Sequence, residues 1–514
     1  MALLQVLLFL LLCALALGWV SRRINLPYPI ALVIGGSLLG FVPGLPQLQF
    51  DPQFLLVLVL PPILYQAALL TSWRDFKANV RPIGFLAIGL VIVTTLVVGA
   101  ALKLLFPLMP WAVAFVFGAI VSPPDAVAAT AVLSRYNIPH RVVVVLEGES
   151  LVNDASGLVL YKFAVAAVLT GAFSLVEASV QFALVSIGGI AVGMAIAWVF
   201  VQLHRHIGDP FIEVLVSLSI PYCAYIAAES VHLSGVLAVV AAGLFRGRYA
   251  PRMVSAEMRI LARSVWNILV FLLNSMIFIL IGLQLSGILA RLGSYSTFQL
   301  VLASLCVSAV AILVRFLWVY PAAYLTRAAG AAPLPPRGQL FIVSWCGRRG
   351  IVSLAAALAL PLETHAGAPF PYRDLVIFLT FVVILATLVG QGLTLAPLIR
   401  WLGLGSEAGQ RAEQMRARSD MGRAALEAID GYVAAHGVDG SLARRVRAEF
   451  AEKIARDTPS GPAVPQEAQT AREMRVAAIR AERTELIRVW EQNQISDDVL
   501  HHLEEELDYQ ESRL

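Results

Sequence analysis

The sequence predicts an all-α polytopic membrane protein of about 13 transmembrane helices. The expected arrangement is two inverted six-helix repeats with broken crossing helices, followed by a cytoplasmic helical tail. Three observations predict it. Of 514 residues, 59% are hydrophobic and only 14% are charged, with a mean hydropathy of +0.77, whereas a soluble domain is roughly half apolar and about a quarter charged. The apolar residues come in blocks of about 20, the length that crosses a bilayer. Two of these blocks carry breaks at corresponding places. This composition excludes a string of soluble domains, a disordered chain, a disulfide scaffold and a nucleic-acid binder.

Thirteen apolar segments can be read, near 2–20, 28–46, 53–71, 82–105, 110–133, 142–170, 178–203, 210–229, 233–249, 264–289, 297–324, 338–360 and 374–402. The first lacks a basic stretch before it and is followed by Arg22 and Arg23, unlike a cleaved leader. It is therefore expected to be a retained helix with its N-terminus outside. Alternate loops carry 15 Lys/Arg, from Arg22 to Arg337, while the other six carry only Arg291 and Arg373. Basic loops stay cytoplasmic, so this split supports thirteen crossings and a cytoplasmic C-terminus.

Charge also divides the chain. Residues 1–404 carry a balance of +10 and residues 405–514 a balance of −6. The expected domains are a transmembrane transport domain over 1–404 and a helical tail over 405–514. In the tail, helices are expected near 407–457 and 467–510, separated by Thr458–Pro465. Ile479, Leu486 and Trp490 share one face of the second, a packing stripe or a regulatory or dimer contact. Cys13, Cys223, Cys306 and Cys346 all lie in apolar stretches and read as buried small hydrophobes rather than disulfides. Arg outnumbers Lys 34 to 4, a bias that points to a GC-rich bacterial genome.

Ionisable groups inside spans are costly and mark function. The midspan set is Asp125, Glu147, Glu149, Asp154, Lys162, Arg315, Arg348 and Arg349. Lys103 can snorkel to an interface, and Glu213 and Glu229 lie near span ends, where solvation is expected. In Ser122-Pro123-Pro124-Asp125, two prolines remove two backbone donors, so the helix should break there. Such breaks survive at membrane depth only when buried in protein or lining a cavity. Asp125 would then lie at the positive start of the following half-helix. A simple kink with an N-capping Asp is the plain alternative. Cys346-Gly347-Arg348-Arg349-Gly350 interrupts the twelfth segment. With the seventh segment as linker, both breaks fall fifth in sets of six, the pattern that locates a transporter's site.

The sixth segment reads Glu147-Gly148-Glu149-Ser150-Leu151-Val152-Asn153-Asp154. On a helix Ser150 and Asp154 share a face, as do Glu149 and Asn153. Asp154 with a hydroxyl and an amide oxygen makes a set of hard oxygen ligands suited to a small cation. A carboxylate taken out of water holds its proton more tightly, so it can trade a proton for a metal ion. Glu149 reads better as the partner of Arg315, and Lys162 is assigned no role.

These residues, together with Pro61-Pro62-Ile63-Leu64 and Trp73-Arg74-Asp75-Phe76, resemble the monovalent cation/proton antiporter family, which includes bacterial sodium/proton antiporters and animal sodium/proton exchangers. The resemblance runs over residues 1–404 in order. It implies a homodimer, elevator-type alternating access, and roles in sodium transport and pH homeostasis. It places ion binding on Asp154, Asn153, Ser150, Asp125 and the Pro124 carbonyl, with Na⁺ on Asp154. It makes Glu149 and Arg315 a structural ion pair, and Arg349 rather than Arg348 the charge at the crossing helices. Members often have Thr-Asp-Pro at the break; Pro124-Asp125-Ala126 lacks that hydroxyl. The Asn153-Asp154 pair implies electroneutral exchange.

The expected function is antiport of Na⁺, or K⁺ or Li⁺, for H⁺ across the bacterial cytoplasmic membrane, with no cofactor and no enzyme activity. The lipid bilayer and a second copy are the expected partners. Two rivals use the same acids. A cation channel lacks a filter sequence, and an intramembrane aspartyl protease on Asp125 and Asp154 lacks the sequence context of such enzymes. No His-Glu-x-x-His zinc motif occurs.

Overall fold

The computed structural model describes residues 2–448 except 24–26, 43–51, 126–132, 134–135, 137, 172–174, 205, 208, 254–255, 294, 329–334, 366, 405–407 and 437–440; beyond 448 it describes chiefly 478–486. The chain divides into two compact units, Met1–Ser406 and Glu407–Leu514.

The first unit is built from helices: α1 (Ala2–Arg23), α2 (Tyr28–Gly40), α3 (Pro52–Leu70) and the short α4 (Trp73–Ala78). Next come α5 (Val80–Leu105), α6 (Trp111–Val121), α7 (His140–Thr170), α8 (Leu175–His204) and α9 (Pro210–Ser230). Then follow α10 (Gly235–Met253), α11 (Ala256–Ala290), α12 (Thr297–Ala328), α13 (Arg337–Trp345), α14 (Ile351–Leu358) and α15 (Arg373–Trp401). Each of the thirteen expected segments has a helical counterpart. Seven helices are individually long and apolar enough to cross a bilayer among the described residues. The short ones include α6 and α13, which end at the two breaks the sequence anticipates.

The exceptions to regular helix are compensated by neighbours. Pro62 has no N–H for the carbonyl four residues back, and Tyr222 Oη on α9 donates to that orphan, Leu58 O, at 2.9 Å. A π-helical turn at Phe85–Leu90 of α5 disturbs the regular carbonyl ladder. Trp318 Nε1 of α12 donates to Phe85 O at 2.9 Å, and Ser156 Oγ of α7 donates to Ala87 O at 2.5 Å. Lys103 donates to the Pro107 and Met109 carbonyls, in the turn after α5, at 2.6 Å each.

Lipid gives little hydrophobic drive between helices, so small residues decide where backbones can meet. The most extensive helix contact, α2 with α11, works this way. A Cβ on Gly36 would lie 2.5 Å from Ile279 O, and one on Gly282 2.4 Å from Ser37 N.

Two expectations are corrected. All four cysteines are free, but only Cys346 is buried, and Cys223 is exposed. An apolar stretch at a bilayer has a lipid side as well as a core side. Glu213 is not solvated: it is buried, with its carboxylate 3.1 Å from the Nε2 of buried His204. Pairing with the end of α8 takes it out of water.

In the second unit, α16 (Ala408–His436) is followed by a helical piece at 441–448. Arg447 ties that piece back to Asp430 of α16 at 2.6 Å. Where one helix was expected over 407–457, two pieces are described. Ile479 is buried and Leu486 half-buried; Thr458–Pro465 and Trp490 lie outside the described residues.

Candidate functional site

The two interrupted segments meet. Helix α6 stops at Val121, and residues 122–125 are unwound. Helix α13 stops at Trp345, and 346–350 have no regular secondary structure before α14 begins. Asp125 N donates to Arg348 O at 2.6 Å, so the segments pair backbone to backbone. Asp125 is half-buried. Its own second half-helix, the expected source of a favourable dipole, falls on 126–132, outside the described residues. The N-terminus it is seen against is that of α14: a Cβ on Gly350 would lie 2.0 Å from Asp125 Oδ2. Only a residue without a side chain lets the two strands approach so closely.

Helix α7 runs past this crossing. Its Gly157 faces Pro123, with a Cβ position 3.0 Å from the proline Cγ. Asn153, fully buried, donates from Nδ2 to the Pro124 carbonyl at 2.9 Å. Among the described residues, Asn153 Oδ1 has no hydrogen-bond partner. Asp154 follows it and is 7% exposed. Ser150 lies one turn before Asp154 on the same helix face, half-buried.

Three arginines are almost wholly enclosed: Arg315, Arg348 and Arg349 are 1%, 1% and 2% exposed. Arg315 grips Glu149 through both guanidinium nitrogens, Nη1 to Oε1 and Nη2 to Oε2, the second at 2.7 Å. Its Nε donates to Val343 O near the end of α13 at 3.0 Å. Arg349 Nε donates to Val121 O, the last residue of α6, at 2.7 Å. Its other nitrogens donate to Gly347 O and, at 3.3 Å, to Ala311 O. A helix that stops at membrane depth leaves carbonyls unpaired and carries partial negative charge at its C-terminus. Here each broken C-terminus receives its own guanidinium. Of the Arg348-Arg349 doublet, Arg349 does this work, while Arg348 supplies the backbone carbonyl to Asp125.

Sequence reading missed some participants. Thr387 Oγ1 accepts from Arg349 N at 3.1 Å and sits in a second π turn, Ala386–Gln391 of α15. Ser156 locks α7 to α5. Both are ordinary residues in apolar runs, and nothing local marks them. Lys162 bonds Glu229 at 3.1 Å, away from the crossing. Among the described residues no cluster of three or more His, Cys, Asp or Glu could hold a resident metal ion.

A helical membrane protein whose two unwound segments cross beside a buried carboxylate has the architecture of a secondary transporter. The chain belongs to the sodium/hydrogen exchanger family, whose transmembrane profile matches residues 7–401. An uncharacterised Na⁺/H⁺ exchanger of Mycobacterium tuberculosis H37Rv is 33% identical over 519 residues, covering 98% of this chain and 95% of its own. A sodium, potassium, lithium and rubidium/H⁺ antiporter of Bacillus pumilus is 34% identical over 377 residues, 71% of this chain and 56% of its own length. The sodium proton antiporter MjNhaP1 of Methanocaldococcus jannaschii shares the fold with a TM-score of 0.63 at 19% identity, over 79% of this chain and 100% of that one. The chain is thus a multi-pass membrane transporter, embedded in the lipid bilayer.

Proposed function

We propose that the protein exchanges a monovalent cation, Na⁺ first and K⁺ or Li⁺ as alternatives, for H⁺, one for one, by elevator-type alternating access. Asp154 holds the proton and the cation in turn. One carboxylate cannot carry both at once, and that competition couples the fluxes. The observation that carries this reading is the placement of Asp154 and Asn153: buried, on an unbroken helix, tied to the crossing through the Pro124 carbonyl.

The cation's shell would draw on Asp154, Ser150 and Asn153 Oδ1, a buried acceptor without a partner among the described residues. All are hard oxygens, as a small monovalent cation requires. The Pro124 carbonyl is engaged by Asn153, which leaves its second lone pair for the ion. Asp125 and Arg349 set the field at the crossing, and the Glu149–Arg315 pair holds the architecture. With one carboxylate in the Asn153-Asp154 pair, the binding group changes charge by one on releasing a proton, which one cation restores. Exchange is then electroneutral. A relative named as an antiporter of sodium, potassium, lithium and rubidium for H⁺ supports keeping K⁺ and Li⁺ beside Na⁺.

The protein acts as a homodimer in a bacterial cytoplasmic membrane, N-terminus outside and residues 405–514 in the cytoplasm. No resident cofactor takes part. The test is proton flux in proteoliposomes against Na⁺, K⁺ and Li⁺, with and without a clamped voltage. Asp154→Asn is expected to abolish cation-dependent flux. Retention of full flux, or flux that follows voltage without proton coupling, overturns the reading.

A further inference from the structure

A second place on the protein is chemically equipped for a ligand. Where α3 ends and α4 begins, the chain and α10 line a depression of about 900 Å³ that is open to the surface. Arg74 and Lys77 line it from α4, three residues apart and so on one face, and Arg248 lines it from α10. All three are exposed. No lining residue is acidic. Asp75, the one acid of α4, instead pairs with His140 Nε2 of α7 at 3.1 Å.

The cations are brought together by backbone packing. A Cβ on Gly247 would lie 2.6 Å from Leu69 O, so α10 touches the end of α3 and carries Arg248 to the rim. The wall also holds Thr71 and Ser72, and its large apolar side chains are open to the outside: Leu70 is 65% exposed and Trp73 38%. Indole rings favour the boundary between headgroups and acyl chains. The loop after α3 and the end of α10 are both basic segments that the charge split assigns to the cytoplasmic side. That side faces anionic lipid, which clustered Lys and Arg attract.

We propose that this cavity binds a phosphate group, that of an anionic phospholipid of the cytoplasmic leaflet. The phosphate lies among Arg74, Lys77 and Arg248, and an acyl chain runs along Leu70 and Trp73. Exposed Leu70 and Trp73 beside the cations favour a lipid over free phosphate, which would have no use for them.

The test is thermal unfolding of the full chain in neutral detergent with added phosphatidylglycerol, phosphatidylcholine or inorganic phosphate. Phosphatidylglycerol is expected to raise Tm by several degrees, and the other two to leave it unchanged. The triple variant Arg74→Gln, Lys77→Gln, Arg248→Gln should lose the response, while Arg74→Lys with Arg248→Lys, which keeps the charge, should retain most of it. The proposal is overturned if the triple variant, folded as judged by its lipid-free Tm, responds like the parent. It is also overturned if inorganic phosphate alone reproduces the shift, or if phosphatidylglycerol produces none. The readout does not involve transport, so failure of antiport and failure of lipid binding are separable.

Discussion

The backbone N–H of Asp125 donates to the carbonyl of Arg348 at 2.6 Å, joining two segments more than two hundred residues apart in sequence. Neither partner has a helical ladder to satisfy it at that point. The bond lets two helices stop and restart at membrane depth, because each unwound segment supplies part of what the other lacks. Arg349 completes the exchange by reaching back to Val121 O at the end of α6.

The crossing has no room for a methyl group at Gly350. A Cβ there would meet Asp125 Oδ2 at 2.0 Å. Gly350→Ala is expected to cost about 1–3 kcal/mol of stability through overpacking and to abolish exchange by displacing Asp125. Thermal unfolding and vesicle flux, measured together, check it; an unchanged Tm with full flux refutes the packing argument.

Glu149 and Arg315 are each about 1% exposed and bonded at both guanidinium nitrogens. Removing one partner strands a charge away from water. Glu149→Gln should therefore destabilise by about 3–5 kcal/mol, seen as lower yield and Tm. Glu149→Gln combined with Arg315→Met, which removes both charges, should recover part of that loss.

Asn153→Ala removes the donor to the Pro124 carbonyl and leaves it unpartnered. A stability cost of about 1–3 kcal/mol is expected. The same change deletes Oδ1 from the proposed cation shell, so half-saturation for Na⁺ should rise in flux titrations. An unchanged half-saturation would remove Asn153 from the ion site.

At the protein surface, the hydrogen bond from His140 holds the Asp75 carboxyl below its ordinary value of 3.8. Its contribution is present above the unfolded value and lost as pH falls through the folded one. The side chains of His140 and Asp75 are 63% and 37% exposed, so solvent screening limits the effect to about 1 kcal/mol or less. Asp75→Asn should lower Tm slightly at pH 7 and not at all near pH 2. An equal shift at both values counts against the bond.

Much of this architecture was legible along the chain. The prolines at 123–124 and the glycines at 347 and 350 announce breaks, because backbone chemistry acts locally. Glu149 and Asp154 announce a candidate site, because ionisable groups in apolar runs are too costly to be incidental. Thr387 and Ser156 gave no such signal. A Thr or Ser in an apolar helix ordinarily bonds its own preceding turn, and only a neighbour's orphan group makes it a participant. Glu213 misled for a related reason: nearness to a span end suggests water, but His204 lies in the way.

Composition and periodicity by themselves determined that this is a membrane-embedded helical protein, where its helices run and which of them fail in midspan. Those properties depend on transferring each residue between water and lipid, and on each residue's own backbone. Which break meets which, that Arg349 rather than Arg348 serves the end of α6, and that Asn153 holds the Pro124 carbonyl were decided only in three dimensions. Those bonds join helices far apart in sequence, and their geometry depends on how closely glycines such as Gly350 let the backbones approach.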